Sequence, residues 1–171
     1  LRRCSGGGTV VQGPGCLSYA LLLRVARDPA LQTIAGANGW ILERQRRALA
    51  RVTGGRVEVD GVTDLVLGGR KFSGNAQRRR REALLFHGTF LLRFDLAALS
   101  RWLRFPSWQP LYRAGRAHGD FVVNLGVEAE AVRAALALEW GARFEAMEPP
   151  PGRLAELLRE RYANPEWNLR R

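Results

Sequence analysis

Lysine is almost missing from this chain. Of 27 basic residues in 171, only Lys71 is a lysine; the rest are arginine. A composition that puts arginine wherever a cation serves makes the exception informative. Lysine offers a compact charge on a flexible stem, arginine a rigid and permanently charged fork. Cysteine is nearly as scarce: Cys4 and Cys16 make no disulfide framework and have no metal-ligand spacing. The reading is a reduced, cytoplasmic setting. Long apolar runs are missing too. The longest lies near Ala20–Leu23, far below the roughly 18–20 residues of a membrane span, so no membrane partner is expected. Leu1-Arg2-Arg3 leads into a glycine loop without an apolar segment, so a signal peptide is not expected either. The chain opens without methionine, inside what reads as a loop, and is expected to lack an N-terminal part.

Acidic residues are outnumbered 16 to 27, leaving a net charge of +11. No helix-turn-helix, zinc-finger or RNP-type aromatic pattern accompanies that charge, so nucleic acid is not the expected partner. The densest run, Arg78-Arg79-Arg80-Arg81, reads as a solvated face or as an attraction for an acidic protein partner. Charge alone does not choose between them.

The residues that are present predict an α+β domain: a mixed, mainly antiparallel sheet with helices packed mostly on one side. Thr9-Val10-Val11 is predicted as a short β-branched strand. A buried strand spans Cys16–Arg24, with Tyr19 either packing or lining a pocket. Asp28-Pro29 starts a helix expected to run to about Val52, ended by Thr53-Gly54-Gly55. Val57–Val59 and Leu65–Leu67 are strands. Gly68-Gly69 is a hairpin turn delivering a strand from Arg70 to Gln77, and Ala83–Leu92 is a further strand. The glycine at its centre, Gly88, marks a bulge or a close approach. Asp95 caps a short helix over Leu96–Leu103. The segment Pro106–His118 is irregular, its aromatics either anchored on the core or forming part of a binding wall. Helices over 127–140 and 153–162 close the chain. Val132, Ala135, Leu136 and Leu138 face inward on the first, and Leu154, Leu157 and Leu158 on the second. One domain over 1–171 is expected.

Three segments stand out. Arg2-Arg3-Cys4-Ser5-Gly6-Gly7-Gly8 leads into Thr9-Val10-Val11. Asp64-Leu65 precedes Gly69-Arg70-Lys71-Phe72-Ser73-Gly74-Asn75-Ala76. His87-Gly88-Thr89-Phe90-Leu91 follows. Successive glycines let backbone N–H groups approach an anion or a thin ligand. Yet no Gly-Lys-Ser/Thr makes a Walker A loop, and no helix follows to make a dinucleotide fingerprint.

The ordered set resembles the lipoate-protein ligase A family of the biotin/lipoate ligase and octanoyltransferase superfamily, over roughly residues 2–125. The resemblance implies a fold related to class II aminoacyl-synthetase catalytic domains. It also implies ATP-dependent activation of lipoate or octanoate, with Mg2+, to an acyl-adenylate. The acyl group then passes to a lysine of a lipoyl domain, in 2-oxoacid dehydrogenase E2 subunits or the glycine-cleavage H protein. Lys71 matches the family's catalytic lysine, a charge suited to an oxyanion and a phosphate. By the same matching, Arg3, Ser5, Gly6, Gly7, Gly8, Thr9, Val10 and Val11 contact nucleotide and acyl chain. Ser73, Gly74, Asn75 and Ala76 belong to the lysine motif, and Gly88 and Thr89 to the pocket backbone. Asp64 either orients Lys71 or helps hold Mg2+. His87 is either a general base or a strand histidine satisfied locally. The octanoyltransferase relatives use a catalytic cysteine before or after the lysine motif. Arg56–Val62 contains none and no cysteine lies beyond Cys16, so adenylation is the favoured reading over covalent acyl transfer.

Overall fold

A computed structural model of the chain describes residues 1–143 and 148–170. Five strands form one sheet in the order β1-β5-β4-β3-β2. They are β1 (Cys16–Arg24), β2 (Val57–Asp60), β3 (Asp64–Leu67), β4 (Arg70–Arg79) and β5 (Ala83–Leu91). All neighbouring pairs are antiparallel, and a parallel bridge joins Lys71 to Val122. The α+β expectation holds.

Alternation along β5 places Leu84, Phe86 and Phe90 on one face, each essentially without exposure. Against that face lie α1 (Ile34–Thr53) and, behind it, α4 (Ala129–Trp140). Ile41, Leu42 and Leu49 of α1 and Val132 of α4 join Phe72 and Leu65 in the main core. Burial of these side chains supplies the main driving force for the layer, about 1.5–3 kcal/mol for each large apolar group. A smaller cluster of Phe94, Leu99, Phe121 and Val122 packs with Leu91 and Cys16 near the opposite end of β5. It brings together α2 (Ala97–Trp102) and α3 (His118–Phe121).

Three expectations need correction. Thr9–Val11 forms no strand: its backbone pairs with none, and Val10 is exposed. The segment hangs instead from side chains, with Arg3 clasping the Gly6 and Gly8 carbonyls and Gln12 donating to Thr89 Oγ1. The helix expected from Pro29 is two elements. Asp28 caps a 3-10 turn, Pro29–Gln32, and Thr33 then caps α1 through the Gly36 N–H. Gly36 allows the join, since a Cβ there would lie 2.4 Å from the Ala30 carbonyl oxygen. Last, the chain end is less core-like than its leucines predict. Leu138 of α4 is exposed, as are Leu154 and Leu158. The second helix is α5 (Pro151–Leu157), continued by a π turn over Leu158–Tyr162 and followed by α6 (Pro165–Asn168). Beside α6, Asn168 Oδ1 accepts from the Arg2 N–H and Trp167 Nε1 donates to the Arg2 carbonyl.

Candidate active site

The sheet sorts the motif residues by face. Cross-strand register aligns Asp64, Gly74, Thr89 and Ser18 in one row, with Ala76, His87 and Ala20 in a parallel row. These rows lie on the face that carries the glycine loop. Between them runs Asn75, Gly88 and Tyr19, which faces the helices. Strict alternation from Lys71 would group it with Ser73 and Asn75 on the helix side. A β-bulge prevents this: β4 carries one extra residue where Leu65 pairs with Ser73 and Val66 with Lys71. Phe72 and Ser73 are consequently both buried, and Lys71 is turned onto the face of Gly74. Bulges often re-aim a side chain beside a site. Here Gly74 leaves the room, because a Cβ there would meet Lys71 Cε and Nζ, both at 2.9 Å.

Lys71 Nζ lies 2.7 Å from Asp64 Oδ1, and the Tyr112 hydroxyl donates to Asp64 Oδ2 at 2.7 Å. Burial first, and then the Asp64 charge, push the Tyr112 phenol far above its ordinary value, so it remains a donor. Both oxygens of Asp64 are therefore engaged. Among the described residues no group of three His, Cys, Asp or Glu side chains is arranged to hold a metal ion. With one oxygen on Lys71 and the other on Tyr112, Asp64 is positioned to orient the lysine.

On the same face, Ser5 Oγ and His87 Nε2 are 2.6 Å apart. Burial first, and the Arg3 guanidinium second, hold the His87 imidazole below its ordinary value. A local partner for His87 is thus found, in the glycine loop. Arg78 ties that loop to the sheet by donating to the Cys4 carbonyl. Arg79 caps the 3-10 turn at the Leu31 and Gln32 carbonyls. The basic run read as a solvated face is therefore half structural, with Arg80 and Arg81 exposed.

Two adjoining cavities meet over this face. The larger, of about 650 Å³, is walled by apolar groups including Leu91, Leu99, Trp102, Leu103, Phe105, Trp108 and Phe121. The smaller, of about 330 Å³, is lined by Arg3, Thr63, Asp64, Ala76, His87 and Thr89 among others. Lys71, Gly74, Gly8, Thr9 and Val10 line both. Val11 borders the larger and Gly7 the smaller. The segment Pro106–His118 is both anchor and wall: Tyr112 packs against the Phe94 cluster, while Pro106, Trp108 and Arg113 line both cavities.

Ser73 borders the larger cavity and Asn75 and Gly88 the smaller, and these residues also bond within the sheet. Asn75 Oδ1 accepts from the buried Tyr19 hydroxyl and from Ser73 Oγ, while Asn75 Nδ2 donates to the Thr63 carbonyl. Ser73 and Asn75 thus order the sheet, and Gly88 makes room for Asn75. Gly6 and Ser5 border neither cavity, and neither cysteine lines one; Cys16 packs against the Phe94 cluster.

Arg113 is the residue that sequence reading missed. It is 5% exposed, with its guanidinium 4.8 Å from the Phe105 ring centre and 4.7 Å from that of Phe121. Its Nε donates to the Arg116 carbonyl, and Nη2 lies 3.4 Å from His118 Nδ1. Burial lowers its affinity for the proton from the ordinary guanidinium value. One more arginine in an arginine-rich chain gives no signal in the sequence.

Comparison with known proteins bears on the family and the fold. The model of the lipoyl protein ligase A/B catalytic domain matches residues 1–131. An octanoyltransferase LipM from Kyrpidia tusciae is 38% identical over 125 residues, covering 63% of this chain and 44% of the relative. A putative lipoate-protein ligase A from Schizosaccharomyces pombe is 36% identical over 109 residues, covering 63% and 28%. The chain therefore spans under half the length of these curated relatives. Among solved structures, the bipartite lipoate protein ligase of Thermoplasma acidophilum, studied with its E2 lipoyl domain, superposes with a TM-score of 0.77 at 23% identity. That likeness covers 97% of this chain and 68% of the other, and it shows the fold. With the family model spanning 131 of 171 residues, the chain belongs to the lipoyl protein ligase A/B catalytic-domain family.

Proposed function

We propose that the protein is an ATP-dependent lipoate-protein ligase, acting on lipoate or octanoate and then on a lysine of a lipoyl domain. The observation that carries the reading is the position of Lys71, held by Asp64 where an apolar cavity meets a polar one. A medium-length acyl chain fills the first, leaving its head group at Lys71. The second, bordered by glycine backbone and by Arg3, suits a nucleotide. A carboxylate oxygen of the acid attacks the α-phosphorus of ATP, and pyrophosphate leaves with the bonding pair. The lipoyl-domain amine next attacks the acyl carbon, forming the amide as AMP departs with the electrons of the C–O bond. Lys71 faces the oxygen on which charge develops in both steps. A donor fixed in advance by Asp64 stabilises that charge without reorganisation. Tyr112, bonded to the second Asp64 oxygen, holds the carboxylate that holds the lysine. An E2 lipoyl domain or the glycine-cleavage H protein is the proposed acceptor, and the cytoplasm the proposed setting.

A second reading is acyl transfer from an octanoylated carrier without ATP. It is favoured by the 38% identity to an octanoyltransferase. Among the described residues no thiol borders the two cavities, and Cys4 and Cys16 both lie outside them. Exchange of labelled pyrophosphate into ATP separates the readings. Exchange that depends on added lipoate or octanoate supports the ligase. Acylation of a lipoyl domain from an octanoyl carrier protein, with no such exchange, supports the transferase.

A further inference from the structure

The two cavities hold an imbalance of charge. Lys71 and Asp64 neutralise one another. Arg3 reaches the smaller cavity with its guanidinium bonded to the Gly6 and Gly8 carbonyls. Arg104, on the larger, is exposed to solvent. Arg113 differs from all of these. It is more than nine-tenths buried and lines both cavities. Among the described residues no carboxylate lies within ion-pair distance of it. Its known acceptors are one backbone carbonyl and one imidazole nitrogen, and its Nη1 has no partner among the described residues. The rings of Phe105 and Phe121 fix the guanidinium without supplying a counter-charge. A cation withdrawn from water is costly unless an anion joins it, and a guanidinium presents paired donors that match a carboxylate.

We infer that Arg113 recognises the carboxylate of the acyl substrate, making the junction selective for a free medium-chain acid over an uncharged amide or thioester of the same chain. The inference rests on the proposed acyl-activating function and deepens it. A ligase starts from a carboxylate. A transferase starts from a thioester, which brings no charge to answer Arg113. Lys71 is the donor for the transition state, already oriented by its own carboxylate. Arg113 is the donor for the ground-state head group.

Titration calorimetry on the full chain tests this with octanoate, octanamide and the octanoyl thioester of N-acetylcysteamine. The wild type is expected to bind octanoate on the order of ten- to a hundredfold more tightly than either neutral ligand, as a charge-assisted hydrogen bond allows. Arg113→Met, whose unbranched chain fits between the two phenylalanines, is expected to lose that preference while still binding octanamide. Retained octanamide binding also shows that the variant is folded. Arg104→Met removes the exposed guanidinium of the larger cavity and is expected to keep the preference, while Arg113→Lys keeps the charge without the fork and is expected to weaken it, which decides the matter if Arg113→Met does not fold. Equal binding of acid and amide by the wild type overturns the inference, as does a preference that survives in Arg113→Met or in full in Arg113→Lys, or that vanishes in Arg104→Met. Failure to bind any of the three ligands refutes the acyl-cavity reading itself.

Discussion

Replacing Gly88 by alanine should damage the sheet by displacing the Asn75 side chain. An ideal Cβ at Gly88 would lie 1.7 Å from Asn75 Oδ1, 2.7 Å from Asn75 Cγ and 2.9 Å from the Gly74 carbonyl oxygen. No rotation of a methyl group relieves such overlap, so Asn75 must leave its place. The Tyr19 hydroxyl, 2.7 Å from Asn75 Oδ1, then loses its acceptor. The Thr63 carbonyl, 2.7 Å from Asn75 Nδ2, loses its donor. An unsatisfied buried polar group costs about 1–3 kcal/mol, and forced overpacking a further ~1–3 kcal/mol. Gly→Ala in a strand returns roughly 0.5–1 kcal/mol. The net expectation is a loss of about 2–4 kcal/mol, a fall of roughly 5–15 °C in melting temperature for a domain of this size. Differential scanning calorimetry reads it directly. Asn75→Ala/Gly88→Ala removes the group that is struck, and should be destabilised by clearly less than the sum of the single variants. A Gly88→Ala protein that melts with the wild type, or a double variant that shows full additivity, would refute the reasoning.

Other outcomes follow from the same geometry. His87 is held below its ordinary value, so the unfolded chain binds more protons wherever the pH lies between the two values. Stability from this group is therefore complete above the ordinary imidazole value of about 6.5 and is lost as pH falls toward the folded-state value. His87→Gln should flatten that part of a denaturant-midpoint profile; an unchanged profile would remove His87 as the cause. Tyr112→Phe leaves Asp64 Oδ2 without its donor and frees the carboxylate that orients Lys71. Acyl transfer to a lipoyl domain should drop about tenfold, in line with loss of one charge-assisted hydrogen bond of roughly 1.5–3 kcal/mol. Nucleotide affinity should change little, and a variant with full turnover would contradict the role given to Tyr112.

Much of this was legible in the sequence, and the exceptions have physical causes. Gly54 ends α1 in a left-handed conformation, and positive φ at Gly68 and Gly69 marks the turn into β4, as the glycine pairs predict. The face that each lysine-motif residue occupies was not legible. Alternation assigns it, and the bulge beside Lys71 reverses alternation without a glycine or proline to announce it. Gly88 was readable as a close approach, and the group that approaches it is the Asn75 side chain. Thr9–Val11 has strand-forming residues and no strand beside it, because propensity cannot supply a pairing partner. The composition that made Lys71 conspicuous also concealed Arg113. In a chain whose cations are nearly all arginine, a rare lysine carries information and a buried arginine carries none until burial is known.

The central claim is that Lys71 acts through a compact ammonium held by Asp64 and not through charge alone. Lys71→Arg keeps the charge and replaces that geometry. Acylation of a purified lipoyl domain, followed by mass spectrometry with lipoate and ATP supplied, measures the result. The account predicts a loss of activity of at least about a hundredfold, on the scale of removing an oxyanion donor, with the protein still folded. Activity near that of the wild type in Lys71→Arg would contradict it.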